Sequence, residues 1–241
     1  DSAHLDCGFG RVAREVGTGL VRSGQFRVAQ LGWFHIPSSK IIPFPVVPTT
    51  QSGQPRLTDD TYGEQSYQKV VDRMQPDVVL AIGDPWMIRH IAMRPRQHKL
   101  VGYVPIDSKP IPREWAKMFR AFDHLVVFGQ FGEDAVHEVD REIQVSRIPH
   151  GVDVKAFHPL GEEKRQEIRQ RLYGSSDLFV VGCVARNNKR KMLPRLLKAF
   201  RRFINGSSTC QDCGTVQYAM YVSCEYCGSR HLKNTTPKKD A

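Results

Sequence analysis

The chain has 241 residues, enough for one large domain or for one domain and part of another, and its 40% hydrophobic and 25% charged residues are ordinary for a globular protein. No apolar run approaches the roughly 18 residues of a membrane span, which argues against an integral membrane protein. The net charge of +10 favours an anionic partner, whether nucleic acid, an acidic membrane surface or a phosphorylated small molecule.

Apolar, β-rich runs alternate with amphipathic helical patterns through most of the chain. The expected strands lie at 26–34, 76–84, 99–107, 124–129, 143–151 and 178–186. The expected helices lie at 10–24, 60–75, 112–122, 131–143, 162–174 and 190–204. Several of these strands are apolar on both faces, as parallel strands covered by helices are. The alternation therefore predicts an α/β fold with a Rossmann-like, doubly wound parallel sheet.

The pattern predicts two domains followed by a cysteine-rich segment. Residues 35–58 carry five prolines and no helical period, which predicts a long surface loop. Only seven residues precede Gly8, so we expect a first strand to be missing there and the natural protein to be longer at both ends. The expected divisions are an N-terminal Rossmann-like domain at 1–159, the start of an incomplete second Rossmann-like domain at 160–204, a zinc ribbon at 205–232 and a polar tail at 233–241.

Two groups of residues are candidate phosphate ligands. Gly8 and Gly10 precede a helix expected to begin at Arg11, and glycines in such a turn let backbone N–H groups approach an anion, although an ordinary tight turn has the same pattern. Arg186 and Lys191 follow the expected strand at 178–186, at the end of a parallel sheet where ligands bind. The Arg fork and the Lys point charge suit a diphosphate, and a solvated basic turn is the alternative.

Three further polar residues follow expected strands. Asp84 and Asp107 place carboxylates at the carboxyl edge of the sheet, where each can contact an acceptor hydroxyl or orient a cation, and Asp107 is the candidate catalytic residue. Asp84 precedes Pro85 and Trp86, so helix capping is its alternative role. His150 lies in the turn IPHGVD, where it is either a ligand contact or a turn residue.

Four of the six cysteines form two Cys-x-x-Cys pairs that are each followed by glycine. The four are Cys210, Cys213, Cys224 and Cys227. This spacing, without a secretory signal, predicts one tetrahedral zinc ion held by four thiolates, with a redox pair as the alternative. Because four thiolates leave no open coordination position, the zinc is expected to be structural. The same features favour a cytoplasmic protein, either dissolved or peripheral at a membrane surface.

The order of these motifs resembles that of the retaining glycosyltransferases of family 4. The similar segments are GFGR, the phrase IPHGVDVKAFHP, the Arg186-x-x-x-x-Lys191 pattern and the helix LLKAF, within residues 1–204. The resemblance implies a GT-B fold, a nucleotide-sugar donor and an unidentified acceptor (glycan, lipid or small molecule). It also implies that Arg186 and Lys191 contact the donor diphosphate, with Gly8 and Gly10 near the same phosphates or the acceptor. His150, Ala185 and Met192 depart from the family pattern, and its E-x7-E segment is absent.

Two functions are therefore expected to compete. The first is a glycosyltransferase that moves a sugar from a nucleotide-sugar to an acceptor, with retention implied by the resemblance, although this chain alone is expected to lack part of the donor pocket. The second is a zinc-ribbon module that binds nucleic acid or protein on a non-catalytic α/β scaffold. Basic residues concentrated at 186–202 and 231–239 suit either function.

Overall fold

The computed structural model describes residues 1–34, 38–49, 60–218 and 226–235. The chain divides into two compact units, Asp1–His158 and Pro159–Ala241. Within the described ranges, no helix has the length and apolar character needed to cross a membrane.

The first unit is an α/β domain built on parallel strands. Its elements in chain order are α1 (Gly8–Arg22), β1 (Gln30–Gly32), β2 (Val46–Pro48), α2 (Ser66–Met74), β3 (Val78–Ile82), α3 (Pro85–Ala92), β4 (Lys99–Val104), α4 (Trp115–Arg120), β5 (His124–Val127), α5 (Gln130–Val139) and β6 (Val145–Arg147). Strands β3, β4, β5 and β6 form one parallel sheet in that order, and β1 pairs with β2 in a second parallel sheet. The predicted Rossmann-like alternation of strands and helices is confirmed for this unit.

The core of the first unit lies between the central strands and their helices. Leu100 and Val104 of β4 and Val127 of β5 are all 0% exposed, as expected for parallel strands covered on both faces. Gly102 of β4 has no side chain because the Phe122 ring occupies that space: a Cβ atom there would lie 2.8 Å from the ring. The close contact brings the segment after α4 onto the sheet.

Asp123 ties the start of β5 to the start of β4. Its carboxylate accepts hydrogen bonds from the Leu100 backbone N–H at 2.9 Å and from the Lys99 ammonium at 2.8 Å. It also lies 3.4 Å from the Arg96 guanidinium. The Lys99 hydrogen bond, followed by that from Leu100, lowers the pKa of Asp123 to about 2. These contacts fix the register between two neighbouring strands.

The start of α1 differs from the prediction. The helix begins at Gly8 rather than at Arg11, with Cys7 as its N-cap, so both glycines lie inside the helix and not in a turn before it. The Cys7 thiol accepts a hydrogen bond from the Gly10 backbone N–H, with the sulfur 3.4 Å from the nitrogen. A Cβ atom at Gly10 would lie 2.6 Å from the Leu5 carbonyl oxygen. Gly10 is therefore required by close packing of the preceding segment.

The expected surface loop at 35–58 is also partly structured. It contributes β2, and Phe44 is buried against Gly17 of α1, where a Cβ atom would lie 2.6 Å from the Phe44 ring. The prolines on either side of Phe44 led to the prediction of a surface loop, although Phe44 itself is apolar. Residues 35–37 and 50–58 of that loop lie outside the described residues.

The described residues of the second unit form two helices, a short 3₁₀ helix and a small antiparallel sheet. Its elements are α6 (Glu162–Tyr173), the 3₁₀ helix Lys189–Lys191, α7 (Leu193–Asn205), β7 (Ser207–Cys210), β8 (Val216–Tyr218) and β9 (Leu232–Thr235). The strand order is β8-β7-β9, with both pairings antiparallel. The sheet includes Leu232–Thr235, three residues of which belong to the segment assigned from sequence to the polar tail.

The strand predicted at 178–186 does not form. The segment pairs with no other strand of the described chain, and its apolar side chains are exposed, with Phe179 at 73%. A β-strand is stabilised by hydrogen bonds to a neighbouring strand and by burial, and this segment has neither. The apolar composition of the segment favours a strand, but a strand also needs a neighbouring strand to pair with. The Rossmann-like character expected of the second domain is consequently not seen in this unit.

Candidate functional site

The carboxyl edge of the parallel sheet of the first unit carries three of the candidate residues. Asp84 follows β3, Asp107 follows β4 and His150 follows β6. Because parallel strands end at the same edge, and neighbouring strands lie about 4.8 Å apart, these residues share one side of the domain. Asp107 and His150 are exposed.

Asp84 occupies the N-cap position of α3. Its backbone is extended, Pro85 follows at the first turn of the helix, and the carboxylate makes no capping hydrogen bond within α3. The predicted capping position is therefore present, but the side chain does not itself cap the helix. The Asp84 carbonyl instead accepts a 2.9 Å hydrogen bond from the Met87 N–H.

His150 packs on two aromatic rings. Its ring centroid lies 4.0 Å from that of Phe128 and 5.6 Å from that of Tyr103. The Tyr103 hydroxyl donates a 3.0 Å hydrogen bond to the Ile148 carbonyl, and burial raises the pKa of Tyr103, which keeps the hydroxyl protonated. This contact fixes the turn that follows β6. His150 thus has a packing role in the turn while one side of it stays exposed.

A second aromatic group lies at the ends of β1 and β3, and it was not identified from the sequence. The Tyr62 ring lies edge-on to three others, with centroids 5.5 Å from Trp33, 6.0 Å from Phe34 and 5.3 Å from Trp86. Trp33 is 5% exposed, whereas Trp86 is 54% exposed. The rings form a row from the core to the surface, called here the aromatic row. The sequence signal was Trp86 itself, a large aromatic placed just beyond a strand end.

Arg186 and Lys191 lie in the second unit, on the turn that leads into α7. Both side chains are exposed. The Arg186 carbonyl accepts a 2.9 Å hydrogen bond from the Asn188 N–H, and the Asn188 side chain accepts one of 3.1 Å from the Lys191 N–H. These bonds form a compact turn with both basic residues at its ends.

Met192, at the end of this turn, has φ +50°, a left-handed conformation that side chains disfavour by about 1–2 kcal/mol. It is also the N-cap residue of α7. Glycine adopts this conformation without the steric penalty. The backbone therefore favours glycine at position 192, where this chain has methionine.

Three of the four predicted metal ligands are described, and the structure brings them together. The sulfur atoms of Cys210, Cys213 and Cys227 all lie within 4.8 Å of one another. Those of Cys210 and Cys227 are 3.6 Å apart, longer than the roughly 2.05 Å of a disulfide. Sulfurs bound about 2.3 Å from a tetrahedral zinc lie about 3.8 Å apart. The three cysteines can hold one metal ion, and Cys224 lies outside the described residues.

The glycines that follow two of these cysteines adopt the same backbone conformation. Gly214 and Gly228 each follow a cysteine and have φ of +73° and +74°, as the predicted cysteine turns require. The Gly214 N–H donates to the Cys210 carbonyl at 2.9 Å. Asp212 lies between Cys210 and Cys213 and accepts hydrogen bonds from Ser229 and His231, which follow Cys227. These hydrogen bonds lower the pKa of Asp212, and the one from Ser229 has the larger effect. This cross-link joins the two turns.

Compared with models of known protein families, the chain matches none, and a comparison with curated proteins finds no match.

Proposed function

We propose that the chain is part of a nucleotide-sugar-dependent glycosyltransferase of GT-B type. The first unit is the acceptor-side domain, and the second unit carries the residues that bind the donor diphosphate. The proposal rests on the order of two motifs, IPHGVDVKAFHP after β6 and Arg186-x-x-x-x-Lys191 before α7, resembling that of family 4. It assigns the function to these residues rather than to the fold, since α/β sheets of this kind serve many activities.

The observation that carries the proposal most strongly is the conformation of Met192. The family pattern has glycine directly after its lysine, and position 192 has the left-handed φ of +50° that favours glycine. The backbone conformation at position 192 therefore matches the family pattern, although the residue there differs from it. The same residue also ends the 3₁₀ helix Lys189–Lys191, a position where a left-handed residue is common.

The proposed chemistry transfers a glycosyl group between two oxygens. The bond from the sugar's anomeric carbon to the donor phosphate breaks, and the nucleoside diphosphate leaves with the electron pair. The acceptor hydroxyl oxygen forms the new bond to that carbon, and its proton passes to the departing diphosphate. Arg186 and Lys191 stabilise the charge that grows on the leaving diphosphate. Asp107 is the candidate group for orienting the acceptor hydroxyl, and Asp84 and His150 are candidate contacts at the same sheet edge.

The proposed roles of Gly8 and Gly10 differ from each other. The Gly10 N–H is engaged by the Cys7 thiol, and close packing leaves no space beside the residue. A Cβ atom at Gly8 would meet nothing within 4 Å, so this residue leaves its side of the helix start open. We assign the approach of an anion to Gly8, at the first turn of α1 where the helix dipole favours negative charge, and a packing role to Gly10.

We further propose that Cys210, Cys213, Cys224 and Cys227 bind one structural Zn²⁺ as a zinc ribbon. Bound zinc joins the turn after β7 to the turn before β9, and such sites contribute folding free energy directly. The 3.6 Å separation of two sulfurs and the paired glycine turns support zinc over a redox role. With four thiolates the ion has no open position for catalysis.

The proposal is tested by titrating the full chain with UDP-glucose, UDP-N-acetylglucosamine, GDP-mannose and ADP-glucose in a calorimeter. Because part of the donor pocket is absent from this chain, weak binding of at least one donor through its diphosphate is expected, and the corresponding nucleoside diphosphate should compete. If none of the four binds, the assignment to a nucleotide-sugar enzyme fails for this chain.

The alternative function is nucleic-acid binding by the ribbon and the segment before it. Residues 178–211 contain eight Lys or Arg and no Asp or Glu, which suits a phosphate backbone. This function predicts that single-stranded DNA or RNA binds at low salt and that affinity falls steeply as salt rises. Absence of such binding at 50 mM salt would leave only the first proposal.

A further inference from the structure

The aromatic row has no part in the donor chemistry proposed above. It consists of Trp33, Tyr62 and Trp86, with Phe34 beside Tyr62, and it ends in an indole that is 54% exposed. Much of the apolar surface of this indole ring therefore remains in contact with water. The ring lies at the carboxyl edge of the sheet, where ligands of α/β domains bind.

We infer that Trp86 is a stacking platform for a pyranose ring of a carbohydrate, held rigid by Tyr62 at a sheet edge whose Asp84 and Asp107 carboxylates accept hydrogen bonds from sugar hydroxyls. This inference rests on the proposed function only in identifying that carbohydrate as the acceptor. Binding of the sugar itself requires no donor.

The platform is held in place from below. Tyr62 lies in a turn that is fixed by Asp60, whose carboxylate accepts hydrogen bonds from the backbone N–H groups of Gln65 at 2.6 Å and Ser66 at 3.1 Å. The next residue, Gly63, has φ +76° and packs so closely that a Cβ atom would lie 3.2 Å from the Trp33 indole nitrogen. Tyr62 is thereby pressed against a buried ring, and its edge meets the Trp86 ring at an interplanar angle of 90°. A fixed ring loses little entropy when a ligand stacks on it.

The surroundings of Trp86 favour a neutral sugar over a nucleobase. Asp84 lies two residues before Trp86, and Asp107 follows the neighbouring strand β4, with Ile82 of β3 paired with Tyr103 of β4. Carboxylates accept hydrogen bonds from several hydroxyls at once, as a sugar presents. The same charges repel the phosphates that accompany each base of a nucleic acid. An aromatic ring at a sheet edge that also carries two carboxylates suits the C–H face and hydroxyl rim of a pyranose.

The test uses the full chain and three variants on a printed array of oligosaccharides ending in glucose, galactose, mannose or N-acetylglucosamine. The variants are Trp86→Ala, Trp86→Phe and, as a matched control, Phe26→Ala. Phe26 is 52% exposed, close to Trp86, but precedes β1 at the opposite end of that strand. The affinity for the best oligosaccharide is then measured by calorimetry without any donor, and thermal unfolding verifies that each variant is folded.

The expected result is binding to at least one oligosaccharide, weakened about tenfold or more by Trp86→Ala, largely retained in Trp86→Phe and unchanged in Phe26→Ala. The inference is overturned if no oligosaccharide binds, if folded Trp86→Ala binds as the parent does, or if Trp86 is needed for binding oligo(dT) and not for sugar. Sugar binding without donor binding would support the role of Trp86 and refute the assignment as a glycosyltransferase. Donor binding without sugar binding would support that assignment and refute the role of Trp86.

Discussion

Replacing Asp123 with Asn should remove a pH-dependent contribution to the stability of the first unit. The folded-state pKa of about 2 lies below the usual 3.8, so the ionised carboxylate stabilises the folded state. This stabilisation is fully present above about pH 5 and is lost as the pH falls through the folded-state pKa. The lowered pKa corresponds to at most about 2 kcal/mol of stability. Since 31% of the Asp123 side chain is exposed, solvent screening reduces this to about 1–2 kcal/mol.

The assay is urea unfolding followed by tryptophan fluorescence at pH 7, 5, 4 and 3. All three tryptophans, Trp33, Trp86 and Trp115, belong to the first unit, so the signal reports on that unit alone. Asp123→Asn should be less stable than the parent by about 1–2 kcal/mol at pH 7 and by about half as much at pH 3. Asp72→Asn on the exposed face of α2 is the control and should show little change. A deficit that is the same at pH 7 and pH 3 would refute the electrostatic explanation.

Three further substitutions or treatments test other parts of the structure. Gly102→Ala should destabilise the first unit by about 1–3 kcal/mol because the added methyl group meets the Phe122 ring. The control Gly19→Ala on α1, where a Cβ atom meets nothing within 4 Å, should not be destabilising. Equal urea midpoints for the two variants would contradict this. Met192→Gly should slow hydrogen exchange of the first α7 amides about threefold by relieving the left-handed backbone, and faster exchange would count against it. Cys210→Ser should abolish the thiolate absorption of bound Co²⁺, while Cys183→Ser, outside the cluster, should leave it intact; an unchanged Cys210→Ser spectrum would exclude the proposed site.

The parts of the fold that could be predicted are those whose burial pattern is local. The runs that became β3, β4 and β5 are apolar on successive residues, and that feature alone indicates parallel strands between helices. Pro85 likewise marked the start of α3. The same reasoning failed for 178–186, because an apolar run forms a strand only where another strand accepts its hydrogen bonds. The sequence of the segment does not indicate whether a neighbouring strand is present.

The site residues divide in the same way. The cysteine spacing was sufficient to predict the cluster of Cys210, Cys213 and Cys227, since the turn chemistry lies within each motif. The aromatic row was missed because Trp33, Tyr62 and Trp86 come from three distant segments and meet only in the tertiary structure. Phosphate binding by Gly10 stays a prediction, and the close approach of the Leu5 carbonyl to Gly10 is a tertiary contact that sequence spacing does not reveal.

The most direct measurement of the central proposal compares two double variants that remove the same charge from the same turn. In the full chain, Arg186→Ala/Lys191→Ala deletes the two residues of the motif, and Lys189→Ala/Arg190→Ala deletes two exposed neighbours. With the nucleotide-sugar that binds the parent, calorimetry should show affinity reduced about 100-fold or more for the first variant, because two charge-assisted contacts are lost. The second should change it only a few-fold. Equal losses in both variants, or no loss in the first, would contradict the assignment of Arg186 and Lys191 to the donor diphosphate.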